Sequence, residues 1–264
     1  MLNSIIGRKE EIALLEKYMS SNHSEFIAIY GRRRVGKTYL IRQHFQNKFA
    51  FDITGIIEGK KTEQMTAFAH ALKQYGYKGR KPVTWLDAFF ALRGLLEQKM
   101  EQGMPCVVFI DEMPCLDTPK SGFVHALGHF WNSWAAWQAQ VKLIVCGSAT
   151  SWMVRNIIDN HGGLHDRVTH EMALKPFTLR ETEDYFQAFG FPWSRLSVLH
   201  TYMAVGGVPY YLSLFNPEES PAQGIDRLFF SENGELQKEY RRLFASLFRT
   251  PDPYLAVVKL IAAK

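Results

Sequence analysis

Short apolar runs alternate with longer amphipathic segments along the chain as far as Pro176. The runs are EFIAIYG near Phe26, FAFDITGI near Phe51, CVVFIDE near Phe109, VKLIVCGS near Ile144 and EMALKPF near Leu174. Three of them are almost entirely apolar, as strands are when both faces of a parallel sheet are covered. The alternation predicts an α/β fold in which a parallel five-stranded sheet is flanked by helices.

Between these runs, apolar side chains recur at helical spacing. The stripes are Met65, Phe68, Leu72 and Tyr75; Trp85, Phe89, Leu92, Leu96 and Met100; and Phe123, Leu127, Phe130 and Trp134. We interpret these stripes as helix faces that pack on the core, because aromatic residues at a 3.6-residue period are more often core than cofactor site.

Only helical patterns follow Pro176. Thr178 and Glu181 form a capping box, which predicts that a helix begins there. The predicted helices are 179–189, 196–204 and 235–248, and YLAVVKLIAAK at 254–264 has the pattern of a further helix. We therefore predict an α/β domain at 1–177, a small all-α lid domain at 178–250, and the start of another domain at 251–264.

The segment after the first apolar run matches the pattern GxxxxGK[ST]. It consists of Gly31, Arg32, Arg33, Arg34, Val35, Gly36, Lys37 and Thr38, and Tyr39 follows in a helical pattern. The glycines allow backbone amides to curl around phosphates, and the helix N-terminus adds partial positive charge. The lysine reaches the β- and γ-phosphates, and the threonine hydroxyl binds magnesium. The motif predicts that ATP or ADP binds here with Mg²⁺.

The third apolar run ends in Asp111 and Glu112. This is a Walker B pattern, in which the aspartate holds magnesium through water and the glutamate orients or deprotonates the attacking water. Two carboxylates at the end of a buried strand are costly unless they meet a metal or cation. The alternative is a pair of exposed loop carboxylates.

Ser148 follows the fourth apolar run, where the ligands of α/β proteins bind. We predict that its hydroxyl contacts the γ-phosphate or the attacking water. The alternative is a helix cap, in which Ser148, Thr150 or Ser151 starts the helix SWMVRNII.

Charge and composition add little to this picture. The chain of 264 residues carries a formal net charge of +5, which is compatible with nucleic acid without indicating it. Arginines 32–34 reach phosphate or a nucleic-acid backbone, or else point to solvent or a neighbouring carboxylate. The three cysteines form no CxxC pair. No apolar stretch approaches the ~18 residues of a membrane span, and no signal peptide precedes the first run. We therefore expect a cytoplasmic protein.

Taken in order, these motifs resemble a known family. IIGRKEEIALLEKY, IYGRRRVGKTYLI, VVFIDE, LIVCGSATSWM, ALKPF and VGGVPYYL resemble the archaeal-type ATPase family of the AAA+ superfamily, which lies near the STAND-like ATPases. The resemblance implies a P-loop NTPase sheet of strand order 5-1-4-3-2 and a helical lid. It implies that Ile6, Gly7 and Arg8 lie near the adenine. It also implies that Arg167 is an arginine finger or sensor, whereas the alternative is a surface arginine paired with Asp166 or Glu171.

The sequence departs from the family pattern in the lid. Relatives carry an arginine after the GGxP motif, where this chain has Tyr210 and Tyr211, although Pro209 can still touch the base. Relatives also continue into a winged helix, whose first turns YLAVVKLIAAK resembles, so we expect a partner, DNA or protein, to be reached through a missing C-terminal domain. A homo-oligomer is compatible with a finger acting in trans.

These features support two functions. The first is an ATPase that hydrolyses ATP and couples nucleotide state to a conformational change between sheet and lid. The second is a slow-hydrolysing, nucleotide-gated switch that controls a partner or a missing domain. A small-molecule kinase is disfavoured, because the helical part shows no acceptor pocket or phosphate-lid arginines.

Overall fold

The computed structural model describes residues 5–247 and 250–262. Its centre is a five-stranded parallel sheet whose strands coincide with the five apolar runs. The strands are β1 (Glu25–Tyr30), β2 (Phe51–Thr54), β3 (Cys106–Asp111), β4 (Val141–Gly147) and β5 (His170–Ala173). β1, β3 and β4 are almost fully buried, which explains why their sequences are nearly continuous apolar runs.

The strand order is β2-β3-β4-β1-β5, which is the predicted order 5-1-4-3-2 read from the other edge. The register pairs Tyr30 with Gly147 and Thr54 with Asp111. Because all pairs are parallel, the residues that follow β1, β2, β3 and β4 meet at the same edge of the sheet. The fold prediction is confirmed.

Helices cover this sheet, and their apolar stripes form its core. They are α1 (Lys9–Met19), α2 (Lys37–His44), α3 (Lys61–Gln74), α4 (Trp85–Glu101), α5 (Met113–Leu116), α6 (Phe123–Ser133) and α7 (Thr150–Met153), the last continuing as a π-helix over Val154–Ile158. Trp85 packs edge-on against Phe68 and Phe123 with ring centroids 5.5 and 4.8 Å apart. These rings are almost completely buried, so the aromatic stripes belong to the core.

The contacts divide the chain into two compact units. The first holds the chain up to Arg32 and from Lys37 to Leu174, and the second holds Arg33–Gly36 together with the chain from Lys175 onward. Apart from that loop segment, the second unit is helical: α8 (Leu179–Ala188), α9 (Arg195–Val205), α10 (Pro209–Leu212), α11 (Pro221–Ile225), a π-helix (Asp226–Phe230), α12 (Glu239–Leu247) and α13 (Asp252–Ala262).

The local signals of the second unit place its helices well. Thr178 and Glu181 cap each other's backbone amides at the start of α8, as the capping box predicts. The helix predicted from Glu235 begins instead at Glu239, because the chain turns at Gly234 and at Gln237, whose backbone N–H binds the carbonyl of Gly234. Phe248, its predicted end, lies outside the described residues. In the part of the chain that the structure describes, no helix combines the length and apolar character that a membrane span requires.

Candidate nucleotide site

The loop between β1 and α2 has a backbone shape that its glycines permit. Gly31 has a φ of 146°, and a Cβ there would lie 2.3 Å from the carbonyl oxygen of Leu174, so no larger residue fits. Gly36 has a φ of 91°. Arg34 also adopts a positive φ, 71°, which is uncommon for a residue with a side chain. The motif thus forms the tightly curled strand–loop–helix turn that the sequence predicts.

Lys37 and Thr38 open α2 and point toward the ends of β1 and β3. The side chain of Lys37 is buried, and its Nζ donates to the carbonyl oxygens of Gly31 and Arg32 at 2.9 and 3.1 Å. Thr38 Oγ1 donates to Asp111 Oδ2 at 2.8 Å. The tertiary structure therefore unites the two separate motifs at one point.

The carboxylate of Asp111 is nearly inaccessible to solvent. Burial raises the pKa of Asp111 and the adjacent charge of Glu112 adds to the rise, while the hydrogen bond from Thr38 opposes it. A carboxylate and a hydroxyl side by side are hard oxygen donors, the ligands that Mg²⁺ prefers. The donor set of Thr38 and Asp111 fits a magnesium ion that keeps most of its ligands as water and phosphate.

Glu112 follows the strand in a left-handed backbone conformation, with φ 43° and ψ 45°. Its carboxylate accepts from Ser148 Oγ at 2.9 and 3.1 Å and from the Ser148 backbone N–H at 3.4 Å. Ser148 does not cap the helix that follows, because the N-cap of α7 is Ala149 and no side chain there bonds to the first amides. The alternative interpretation, that Ser148 caps this helix, is therefore wrong.

Cys146 lies near the end of β4 and carries a buried thiol. Burial raises its pKa well above the usual value, and the charges of Asp111, Lys37 and Glu112 all act on it. Charged groups of both motifs therefore act on one buried residue near the end of β4.

Two glycines pack closely against the segment that follows β3, one from each neighbouring strand. A Cβ on Gly55, which follows β2, would lie 2.5 Å from the carbonyl oxygen of Glu112 and 2.9 Å from the Cβ of Cys115. A Cβ on Gly147, at the end of β4, would lie 2.8 Å from Pro114 Cδ. The only sequence signal is a glycine at the end of each neighbouring strand, and its meaning depends on the strand order.

The residues that the resemblance places near the adenine lie at the start of α1. Gly7 and Arg8 have φ values of 64° and 57°. The side chain of Arg8 is buried, and its Nη1 lies 3.2 Å from Glu11 Oε1. Tyr39, in the first turn of α2, is about half exposed. A role for Gly7 and Arg8 near the adenine, and for Tyr39 in nucleotide binding, stays a prediction.

Arg167 lies in an exposed turn before β5, and its backbone N–H binds the carbonyl of Leu164 at 3.1 Å. The two acids named above as alternative partners of Arg167 have other contacts. Asp166 Oδ2 lies 3.1 Å from His165 Nδ1, and Glu171 accepts from Tyr30 Oη at 3.3 Å. An exposed arginine in this position remains a candidate finger or sensor.

The middle of the nucleotide loop belongs to the second unit. Arg33 is exposed and Val35 is fully buried. Arg34 forms an ion pair with Glu239, and its guanidinium lies 4.3 Å from the centre of the Tyr210 ring. Of the alternatives for the arginine run, Arg34 thus meets a carboxylate.

Tyr211 Oη, also in the second unit, donates to Glu239 Oε1 at 2.8 Å. Pro209 occupies the first turn of α10, a position that proline favours because it needs no backbone N–H there. The two tyrosines that replace the lid arginine of the family pattern thus stand beside a different cation, Arg34.

Comparison with known proteins agrees with this geometry. Residues 5–215 match the model of a family described as an ATPase domain found predominantly in Archaea. The chain belongs to this ATPase family, as its motifs predict. An uncharacterized protein of Methanocaldococcus jannaschii is 28% identical over 212 residues, which cover 78% of this chain and 43% of the relative. The chain therefore spans less than half the length of that relative.

Solved structures share the fold. A Walker-type ATPase of Pyrococcus abyssi superposes with a TM-score of 0.60 at 19% identity, covering 90% of this chain and 76% of the other. A STAND protein of Pyrococcus horikoshii with a tetratricopeptide repeat sensor gives a TM-score of 0.54 at 18% identity, covering 93% of this chain and 33% of the other. These likenesses show that the chain shares its fold with both proteins.

Proposed function

We propose that the protein binds Mg-ATP and hydrolyses it to ADP and phosphate. The observation that carries the proposal is the convergence of Lys37, Thr38, Asp111 and Glu112, from two separate motifs, at the carboxyl ends of β1 and β3. These residues are of the types that phosphoryl transfer uses in P-loop enzymes, where they serve as a cation for the γ-phosphate, magnesium ligands and a carboxylate base, and this match supports the proposal.

Each residue has a definite part in this mechanism. Lys37 gives up its two carbonyl acceptors in the loop and donates to β- and γ-phosphate oxygens instead. Thr38 and Asp111 would hold magnesium, which when bound neutralises charge on the transferred phosphoryl group. Glu112 accepts a proton from water as its oxygen attacks the γ-phosphorus, and the bond to the β-phosphate oxygen breaks.

The remaining residues assist in the proposal. Gly7 and Arg8 lie near the adenine, and Tyr39 belongs to the nucleotide-binding segment that begins at Gly31. Arg167 supplies positive charge to the transferring phosphoryl group, in the same chain or from a second copy. The nucleotide loop runs from the first unit into the second and back, which supports coupling between nucleotide state and the helical unit. Hydrogen exchange of α8–α12 with ADP and with a non-hydrolysable ATP analogue tests this coupling, and identical exchange in both would contradict it.

One contact bears on the second candidate, the slow switch. Both carboxylate oxygens of Glu112 accept hydrogen bonds from Ser148. A base that is tied in this way is either positioned for attack or withheld from the water. Ser148→Ala separates these cases: hydrolysis slows if Ser148 positions the base and accelerates if it restrains it.

Phosphate release from Mg-ATP across a series of protein concentrations tests the proposal, with nucleotide binding measured separately. We expect Lys37→Ala to lose binding, and Glu112→Gln to bind normally but to lose about 10²- to 10⁴-fold in rate, the usual contribution of a general base. A rate per molecule that rises with concentration and falls on Arg167→Ala supports a finger in trans. Tight nucleotide binding without turnover in the wild type would contradict the ATPase proposal and support the switch.

A further inference from the structure

The helix that carries Thr38 has a second polar contact with the sheet. Arg42 lies one turn after Thr38 on the same side of α2. Its Nη2 lies 2.5 Å from Oδ2 of Asp52 on β2. Its guanidinium carbon lies 5.7 Å from the centre of the Phe109 ring on β3, which is fully buried. The helix α2 therefore meets the sheet through polar side chains at two levels.

The spacing of the helix matches the spacing of the strand at these two levels. The register places Asp52 beside Phe109, and Asp111 follows two residues later on the same face of β3. Two strand residues span about 6.6 Å, and the four-residue step from Thr38 to Arg42 rises about 6 Å along the helix axis. One position of the helix therefore satisfies both contacts.

Asp52 is held from a second side by Tyr75, which follows directly after α3. Tyr75 Oη donates to Asp52 Oδ1. Burial raises the pKa of Tyr75, and the hydrogen bond to Asp52 and the charge of that carboxylate add to the rise, while the charge of Arg42 opposes it. The phenol therefore keeps its proton and remains a donor. We call Arg42, Asp52 and Tyr75 the α2 clamp.

We propose that the α2 clamp is a positioning device for magnesium, which sets the hydroxyl of Thr38 against Asp111. The inference rests on the part of the proposed function that assigns magnesium to these two residues. Mg²⁺ demands near-ideal octahedral geometry, whereas the nucleotide loop binds phosphate through several backbone amides. The buried side chains of Leu40 and Ile41 keep α2 packed. Loss of the clamp should therefore weaken metal binding and leave the binding of metal-free nucleotide largely unchanged.

The test measures how the protein saturated with ADP binds Mn²⁺, a paramagnetic substitute for Mg²⁺, by electron paramagnetic resonance of the free ion. Arg42→Met removes the charge and keeps a long side chain. We expect the Kd for Mn²⁺ to rise at least about tenfold, as when a metal ligand loses its outer partner. The Kd for ADP in EDTA should change little.

Two milder variants separate the ion pair from a general loss of structure. Arg42→Lys keeps a cation within reach of Asp52 and should restore most of the affinity for Mn²⁺. Asp52→Asn keeps the volume and removes the charge, so it should weaken Mn²⁺ binding in the same direction as Arg42→Met. This variant decides the question if Arg42→Met does not fold.

Arg93→Met is the matched control. Arg93 Nε also pairs with a carboxylate, Glu97 Oε1 at 2.8 Å, and its guanidinium carbon also lies near an aromatic ring, 5.6 Å from the centre of Trp134. This variant should leave the Kd for Mn²⁺ unchanged. In a Thr38→Ala background, Arg42→Met should weaken Mn²⁺ binding no further, because the clamp acts through that hydroxyl.

A role in stability alone predicts that Arg42→Met lowers the temperature of thermal unfolding and leaves the Kd for Mn²⁺ unchanged, and this result would overturn the proposal. Equal weakening with and without the Thr38 hydroxyl, or an equal effect of Arg93→Met, would also overturn it, as would a wild-type complex with ADP that binds no Mn²⁺. A wild type that binds ADP and Mn²⁺ but releases no phosphate from ATP contradicts the proposed hydrolysis alone.

Discussion

Replacing Gly55 by alanine should disturb the candidate nucleotide site, although Gly55 has no side chain that takes part in the chemistry. The added Cβ would lie 2.5 Å from the carbonyl oxygen of Glu112, about 1 Å short of van der Waals contact. The backbone at Glu112 must therefore move by roughly 0.5–1 Å. Its backbone is already left-handed, so we expect the displacement to carry the carboxylate with it.

Two magnitudes follow from this displacement. Overpacking at a buried turn costs about 1–3 kcal/mol of unfolding free energy. A misplacement of about 1 Å in a catalytic group costs up to 10²-fold in rate, so we expect kcat to fall by about 10- to 100-fold. Nucleotide affinity should change little, because Lys37 and the glycines of the nucleotide loop are not displaced.

The assay is steady-state phosphate release with a separate measurement of nucleotide binding and of urea unfolding. Gly94→Ala is the matched control, because Gly94 lies in α4 with no atom within 4 Å of its added Cβ; it should keep full activity and gain about 0.5–1 kcal/mol. In the Glu112→Gln background, Gly55→Ala should cause no further loss of rate. A Gly55→Ala protein with wild-type kcat would refute the reasoning, as would an equal loss of rate in both backgrounds.

Two further predictions concern stability. The side chain of Glu25 is 2% exposed. Burial disfavours its charged form, but hydrogen bonds from Ser21 and Thr169 and the charges of His170 and Lys142 outweigh this effect. The pKa of Glu25 is therefore lowered from its usual value of 4.5. Because a lowered carboxyl pKa stabilises the fold above the unfolded pKa and is lost as pH falls through the folded one, Glu25→Gln should cost about 1–3 kcal/mol at pH 7. Urea unfolding should show that the difference in unfolding free energy between wild type and variant shrinks below pH 4.5. Glu10→Gln, at an exposed site, is the control. A difference that stays constant with pH would contradict the prediction. In the second unit, Tyr211→Phe removes a buried hydrogen bond to Glu239 and should cost about 1.5–3 kcal/mol. Tyr210→Phe, which keeps its ring over Arg34, should cost less than about 0.5 kcal/mol, and equal losses in thermal unfolding would show that the hydrogen bond is not the cause.

The sequence alone determined the sheet and both nucleotide motifs, because their signals are local. A strand that is buried on both faces must be apolar along its length, and this condition identifies β1, β3 and β4 without reference to neighbours. The loop from Gly31 to Thr38 needs its glycines, lysine and threonine at fixed spacing, so its fold and chemistry are encoded together. The capping box is likewise a local signal, because it needs only Thr178 and Glu181 within four residues.

The tertiary structure decided which distant residues meet. Ser148 bonds to Glu112 because β3 and β4 are neighbours whose carboxyl ends share one edge of the sheet. Gly55 matters only because β2 lies on the other side of β3. Arg34 meets Glu239 although 204 residues separate them in the chain. Such pairings depend on strand order and packing, which are set by the burial of the whole core. The local sequence around either residue therefore does not predict them.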